Sequence, residues 1–222
     1  MIAVITIDGP SGTGKGTLAT LLAARLGWHC LDSGALYRVL GLAAEREGID
    51  LDDGQALALL AGAMRVTFDG GRVWLDGVDL GDRIRAETAG AAASRVAVHP
   101  GVRTALLDWQ RRQARAPGLV ADGRDMGTVV FPQAPLKLFL DASAEERAMR
   151  RYKQLIGKGM DANLDELVED IRQRDARDRN RPVAPLRVAA DAVIVDSTAL
   201  SIDTVFDLVL GEVRRVFPDR VH

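Results

Sequence analysis

Five short apolar runs, rich in β-branched residues, punctuate the chain: Ile2–Ile7, Trp28–Leu31, Leu119–Ala121, Leu136–Leu140 and 191–196. Each has the length and composition of a strand buried on both faces. Between them the apolar spacing changes to three and four. Leu18, Leu22 and Leu26 share one helical face up to Gly27, a natural helix stop. Leu36, Leu40 and Ala44 do the same in a helix over 35–47, for which Ser33 is the expected cap and after which Gly48 is a break. Asp52 or Asp53 can start a further helix through Met64. Helices are also predicted over 87–98, 101–114 (with Val102, Ala105, Leu106 and Trp109 at core spacing), 144–156, 164–181 and 201–216, the last capped by Ser201.

One stretch breaks this rhythm. Val66, Phe68, Val73 and Leu75 alternate with polar residues, and Asp69-Gly70-Gly71 and Asp76-Gly77 separate them. That is the pattern of a small antiparallel meander. Strands alternating with helices elsewhere imply an α/β fold: a doubly wound, five-stranded parallel sheet with a small antiparallel β insert. The expectation is a single domain over 1–222. Its core covers about 1–61 and 101–222, its insert about 62–100, and an Arg-rich lid about 157–181.

The chain has 222 residues, 47% hydrophobic and 27% charged, with formal net charge −2. That balance offers no general polyanion surface, so nucleic acid is not an expected partner. Of 29 basic residues, 25 are Arg. A GC-rich coding bias explains that ratio for the chain as a whole better than phosphate binding does. A single cysteine, Cys30, excludes a disulfide framework and a metal-ligand cluster and fits a reducing compartment. The first apolar run ends at Asp8 with no basic segment before it, and no stretch is long enough to span a bilayer. A cytoplasmic protein without membrane partners is expected.

The stretch Gly9-Pro10-Ser11-Gly12-Thr13-Gly14-Lys15-Gly16-Thr17 lies between the first strand and the first helix. Glycines there let the backbone bend and turn its N–H groups onto a phosphate. The helix N-terminus adds partial positive charge and Lys15 a full one. This is a phosphate cradle of the P-loop type. Gly16 stands where the strict pattern has Ser or Thr, so any Mg²⁺ is expected to be held mainly by nucleotide phosphates and water. No metal-ligating residue set is expected.

Other candidates cluster where strands end. Tyr37 and Arg38 follow the second strand, although Tyr37 also fits a half-buried core aromatic and Arg38 a solvated helix residue. Asp122-Gly123-Arg124-Asp125-Met126-Gly127-Thr128 crowds two carboxylates and an Arg past the third strand; a polar, Gly-rich cluster there reads as a site rather than as a tight turn held by its own side chains. Ser94 and Arg103, taken alone, read as surface or capping residues. In 164–181, Asp170 with Arg174 and Arg174 with Asp178 sit at i, i+4. Five Arg within ten positions nevertheless exceed what local pairing needs. His29, His99 and His222 stand apart from every motif.

With these motifs in order, the sequence resembles the bacterial cytidylate kinases over nearly its whole length. The resemblance rests on Gly9 to Thr17, Leu31-Asp32-Ser33-Gly34-Ala35-Leu36-Tyr37-Arg38, and Ala121 to Thr128. It rests also on Arg174-Asp175 with Asp178, Arg181 and Pro185-Leu186, and on Asp196-Ser197-Thr198 with Leu200-Ser201-Ile202. It implies phosphoryl transfer from ATP, with Mg²⁺, to CMP or dCMP. It implies that Gly9, Pro10, Ser11, Gly12, Thr13, Gly14, Lys15, Gly16 and Thr17 hold the ATP phosphates. Arg38, Arg124 and Arg181 would hold the CMP phosphate, and Ser94, Arg103 and Asp125 would read cytosine. Arg174 and Asp178 would meet the sugar, with Ser33 and Tyr37 lining the acceptor pocket. Lys15, Arg124 and Arg181 are the catalytic candidates, and a monomer acting on small molecules is expected. The alternative is a P-loop kinase for another small molecule or monophosphate, such as UMP. A GTPase-type switch would need Asn-Lys-x-Asp and Asp-x-x-Gly, and the chain has neither.

Overall fold

The computed structural model describes residues 2–69 and 72–220. The expected Gly70-Gly71 turn and His222 lie outside the described residues. In chain order the elements are β1 (Val4–Asp8), α1 (Lys15–Leu26), β2 (His29–Asp32), α2 (Ser33–Glu47), α3 (Gly54–Ala63) and the strands β3 (Val66–Asp69), β4 (Arg72–Leu75) and β5 (Val78–Asp79). Then come α4 (Glu87–Val96), α5 (Pro100–Arg111), β6 (Leu119–Gly123), β7 (Leu136–Asp141), α6 (Ala144–Ile156), α7 (Leu164–Arg179), β8 (Val193–Asp196) and α8 (Ile202–Val216). They divide into two compact units: residues up to 31 together with those from 113 onward, and Asp32–Arg112.

The first unit carries the parallel sheet, in the order β2-β6-β1-β7-β8. β1 is parallel to β6 and to β7, and β7 is parallel to β8. All five β1 residues are buried, as are all five of β6. That burial is why these strands are written as unbroken apolar runs, whereas the edge strands β2 and β8 are only partly covered. Ile5, Ile7, Leu18, Leu22, Val120, Leu138, Leu140, Val205, Val209 and Val213 form one core of strand and helix faces. The central β1 lies between β6 and β7, so the loop after it emerges where the strand order reverses. In open α/β sheets that is where ligands collect.

The second unit holds α2 to α5 and the three-stranded sheet β3-β4-β5. Leu36, Leu40, Leu57, Val96, Val102 and Leu106 form one cluster. Val39, Ala43, Leu75, Leu80, Ile84 and Ala89 form another. The meander pairs Val66 with Leu75 and Phe68 with Val73, as the alternation predicts.

Helix ends follow local chemistry, with one correction. Ser33 is not the cap of α2 but its first residue; Asp32 caps it, accepting from the Ala35 N–H at 2.9 Å. A carboxylate at that position also favours the positive end of the helix. Asp53 caps α3, Ser143 α6, Asn163 α7 and Ser201 α8.

Gly9 sits at φ 151°, and a Cβ there would lie 2.0 Å from the Leu140 carbonyl oxygen. Gly9→Ala is expected to destabilise by about 3 kcal/mol, the upper end of overpacking penalties. Gly27, at φ 64° with nothing within 4 Å, should lose only about 1–2 kcal/mol on the same change, the cost of a left-handed L-residue. Urea unfolding of both variants decides; equal losses would contradict the packing argument.

Candidate functional site

β1 runs directly into the phosphate loop. Gly9, Gly12 and Gly14 all have positive φ, at 151°, 83° and 93°. Gly14 ends the loop in the left-handed conformation, and α1 starts after it with no side chain capping its first N–H groups. Lys15 is buried and donates to the Pro10 carbonyl at 2.9 Å, and the Thr13 hydroxyl donates to the same oxygen at 3.2 Å. N–H groups that face inward leave carbonyls facing outward, and buried carbonyls need donors. Two arginines of α6 supply them. Arg147 donates to the Ser11 carbonyl at 3.0 Å, and Arg150 to that of Thr13 at 3.2 Å. Arg150 also grips the Ser197 carbonyl at 2.6 Å, fastening the loop after β8.

The stretch after β6 is a second centre. Residues Met126–Val130 form a turn of π-helix, closed by the Phe131 N–H on the Met126 carbonyl at 2.7 Å. Sequence patterning gave no sign of it. The turn is anchored by Asp8, the last residue of β1, whose carboxylate accepts from the Met126 and Gly127 N–H groups, both at 2.8 Å. Gly127 is required there: a Cβ would stand 2.9 Å from Thr6 Oγ1 and 3.3 Å from Asp8 Oδ2. Asp125 is buried at the start of this turn. Arg124 donates through Nε to Asp178 Oδ2 at 2.8 Å. Burial pushes the Asp178 pKa up, but Arg124, Arg181 and Arg174 outweigh it and hold the carboxyl below its ordinary value. Arg124, Arg174, Asp178 and Arg181 thus share one electrostatic neighbourhood in the first unit. The reading of α7 as a solvated helix needs correction at two positions. Asp175 and Asp178 are buried, and they bond to arginines from α6 and from the stretch after β6 rather than only to neighbours on their own helix.

The second unit holds Ser33, Tyr37, Arg38, Ser94 and Arg103. Ser33, Tyr37, Ser94 and Arg103 are all buried. The Arg103 guanidinium lies 5.5 Å from the centre of the Tyr37 ring, within cation–π range, and donates to the Ala97 carbonyl at 3.3 Å. Arg38 donates to the Ile84 carbonyl at 2.9 Å and passes beside Gly90. The bland readings, a surface Ser94 and Arg103 and a fully solvated Arg38, do not describe this arrangement.

Residues 5–215 match the family Cytidylate kinase. The chain belongs to the cytidylate kinase family. It is 58% identical over 218 residues to a cytidylate kinase of Stutzerimonas stutzeri, covering 96% of this chain and 95% of that one. It is 60% identical over 209 residues to one from Chromobacterium violaceum, with 94% of each chain covered. Among solved structures, a gluconokinase from Sinorhizobium meliloti superposes with a TM-score of 0.50 at 16% identity, over 98% of this chain and 94% of that one. That likeness concerns the fold alone.

As a member of this family, the chain shows side chains at its phosphate loop that patterning passed over. Arg147 and Arg150 lie in the helix expected over 144–156, and only its packing against the loop reveals their part. Asp8 read only as the end of the first apolar run, and its partners on the stretch after β6 appear only in the fold. No described helix is long and apolar enough to cross a membrane.

Burial raises the Asp8 pKa from 3.8 to about 6; the Asp125 charge adds to the rise, and the Gly127 and Met126 N–H groups and Arg124 oppose it. The folded-state value lies above the unfolded one. The protonated carboxyl therefore stabilises the fold fully below about pH 4, and that contribution is lost as pH rises through 6. Two units correspond to about 3 kcal/mol. Between pH 4 and 7 the wild type should lose about 2 kcal/mol of stability relative to Asp8→Asn, the rest of the change falling outside that range. Parallel stability–pH curves for the two proteins would refute the assignment.

Proposed function

We infer that this protein transfers a phosphoryl group from ATP to CMP or dCMP, giving ADP and CDP or dCDP. The observation that carries the reading is the family match across residues 5–215, which contains every candidate residue. Gly9 to Thr17 wrap the ATP phosphates with inward N–H groups, and Lys15 adds charge where negative charge develops. Arg124 and Arg181 hold the acceptor phosphate, and Arg38 serves the same phosphate. Ser94, Arg103 and Asp125 read cytosine. Arg174 and Asp178 meet the sugar, and Ser33 and Tyr37 line the acceptor pocket. The acceptor is a phosphate oxygen, anionic at neutral pH, so no general base is needed. Alignment and electrostatic stabilisation do the chemistry.

Mg²⁺ fits these residues as a companion of the nucleotide. Among the described residues no group of three His, Cys, Asp or Glu can hold a metal by itself. The Asp122 carboxylate does stand beside the phosphate loop, 3.1 Å from where a Cβ on Gly16 would lie. Asp122 would stand beside a metal brought in by ATP and water, which would supply positive charge at the phosphates. The segment about 157–181 serves as a lid and about 62–100 as the CMP-binding insert, excluding water that would otherwise accept the phosphoryl group. The enzyme is taken to act as a cytoplasmic monomer on small molecules only.

ADP formation from ATP over a panel of CMP, dCMP, UMP and AMP tests the reading, with CMP and dCMP expected to lead. Lys15→Ala should lower kcat by roughly 10²–10³, as when one preorganised donor is removed; near-normal turnover by a folded variant would refute its role. Arg103 supplies only donors and ionised Asp125 only acceptors, which matches the cytosine edge and opposes that of uracil. Each mismatch costs about 1–3 kcal/mol, so kcat/KM should favour CMP over UMP by roughly 10- to 100-fold. Asp125→Ala should narrow that ratio. If neither Asp125→Ala nor Arg103→Ala changes it, these residues do not read the base.

A further inference from the structure

The strongest unassigned feature is a buried ion pair behind the phosphate loop. Arg147 is 2% exposed and Asp175 6%. Every nitrogen of the Arg147 guanidinium is engaged. Nε donates to the Ala142 carbonyl at 2.9 Å, and Nη1 to the Ser11 carbonyl and to Asp175 Oδ1, both at 3.0 Å. Nη2 donates to Asp175 Oδ2, which makes the pair bidentate. The aliphatic stem of Arg147 backs the loop: a Cβ on Gly12 would lie 3.2 Å from Arg147 Cβ. One planar cation therefore touches the end of β7, the phosphate loop and α7. A cavity of about 640 Å³ opens beside it, lined from both α6 and α7. The Arg147–Asp175 pair thus joins α6 to α7, and a more exposed pair, Arg172 with Glu145, joins the same two helices.

We propose that Arg147 is a positioning residue that couples α7 to the phosphate loop through Asp175. Its guanidinium fixes the outward Ser11 carbonyl, and so the inward direction of the loop's N–H groups. Asp175 in turn fixes the plane of the guanidinium. Any displacement of α7 that pulls Asp175 away frees that plane and loosens the loop, so nucleotide in the loop favours α7 in its docked position, and the reverse holds by linkage. Neither side chain needs to touch nucleotide. The inference rests on the reading of the loop as the ATP phosphate site.

The test uses the full-length protein, with ADP as probe in calorimetric titration and with steady-state kinetics. Asp175→Asn keeps the shape of the side chain and removes its charge. It should weaken ADP binding and raise KM for ATP by about 10- to 100-fold, the scale of one charge-assisted hydrogen bond, with KM for CMP within about twofold of wild type. Removing one partner of a buried pair can compromise folding, so the double variant Arg147→Met/Asp175→Leu, which replaces both charges with apolar groups, serves as the second arm. It should fold and show the same selective loss toward ATP. Hydrogen exchange supplies a readout that a merely structural pair would not move: ADP should protect both 9–17 and α7 in the wild type, but only 9–17 in the double variant. A folded double variant with wild-type ADP affinity, KM for ATP and α7 protection would overturn the coupling and leave the nucleotide reading intact. A wild-type protein that fails to bind ADP would overturn both.

Discussion

The loop after β1 exposes backbone carbonyls to side chains, and each of those at Pro10, Ser11 and Thr13 is met by a donor. Elements across the first unit supply those donors. Pro10 is satisfied by Lys15 and Thr13, Ser11 by Arg147, and Thr13 by Arg150 and the Ser197 hydroxyl. The glycines supply the dihedral angles, but the arginines of α6 and the stretch after β8 hold the result. The helix expected over 144–156 thus backs the loop.

The same economy appears one strand over. Asp8 ends β1 and, through two N–H groups, fixes the turn that begins at Asp125. Its burial sets the carboxyl against its own ionisation, and this marks a position where local arrangement outranks stability. The parallel register of β1 with β6 brings Asp8 level with Gly123, which makes the bond possible. Arg124 is then presented to Asp178 on α7, so the loops after β1 and β6 and the C-terminal turn of α7 are linked by charge-assisted bonds.

Within Asp32–Arg112 the organising interaction is different. Arg103 lies against the Tyr37 ring, and Arg38 is held by backbone carbonyls near Ile84. Here α2 and α4 approach closely enough at Gly41 that a Cβ would lie 2.7 Å from that of Ala92. Small residues in α4, conspicuous as an Ala-rich run, are what permit that approach.

The strands, the helices, the meander and the phosphate loop were legible in the chain because each follows from local periodicity or from glycine and capping chemistry acting over a few residues. β1, α6 and the Ser201 cap follow from such short-range rules, and the motif order was enough to identify the resemblance to cytidylate kinases. The cap of α2 was misplaced by one residue: Ser33 was expected there, and Asp32 serves because its backbone is extended while Ser33 is already helical. The π-helical turn, the anchoring by Asp8 and the pairings Arg147–Asp175 and Arg124–Asp178 were not legible. The partners in the Asp8 anchor and in the two ion pairs lie 28 to 119 positions apart, and charge pattern along a helix records only neighbours three and four residues away. Which arginine meets which carboxylate was decided by strand order and helix packing, because a buried charge must find its counter-charge wherever the fold brings one.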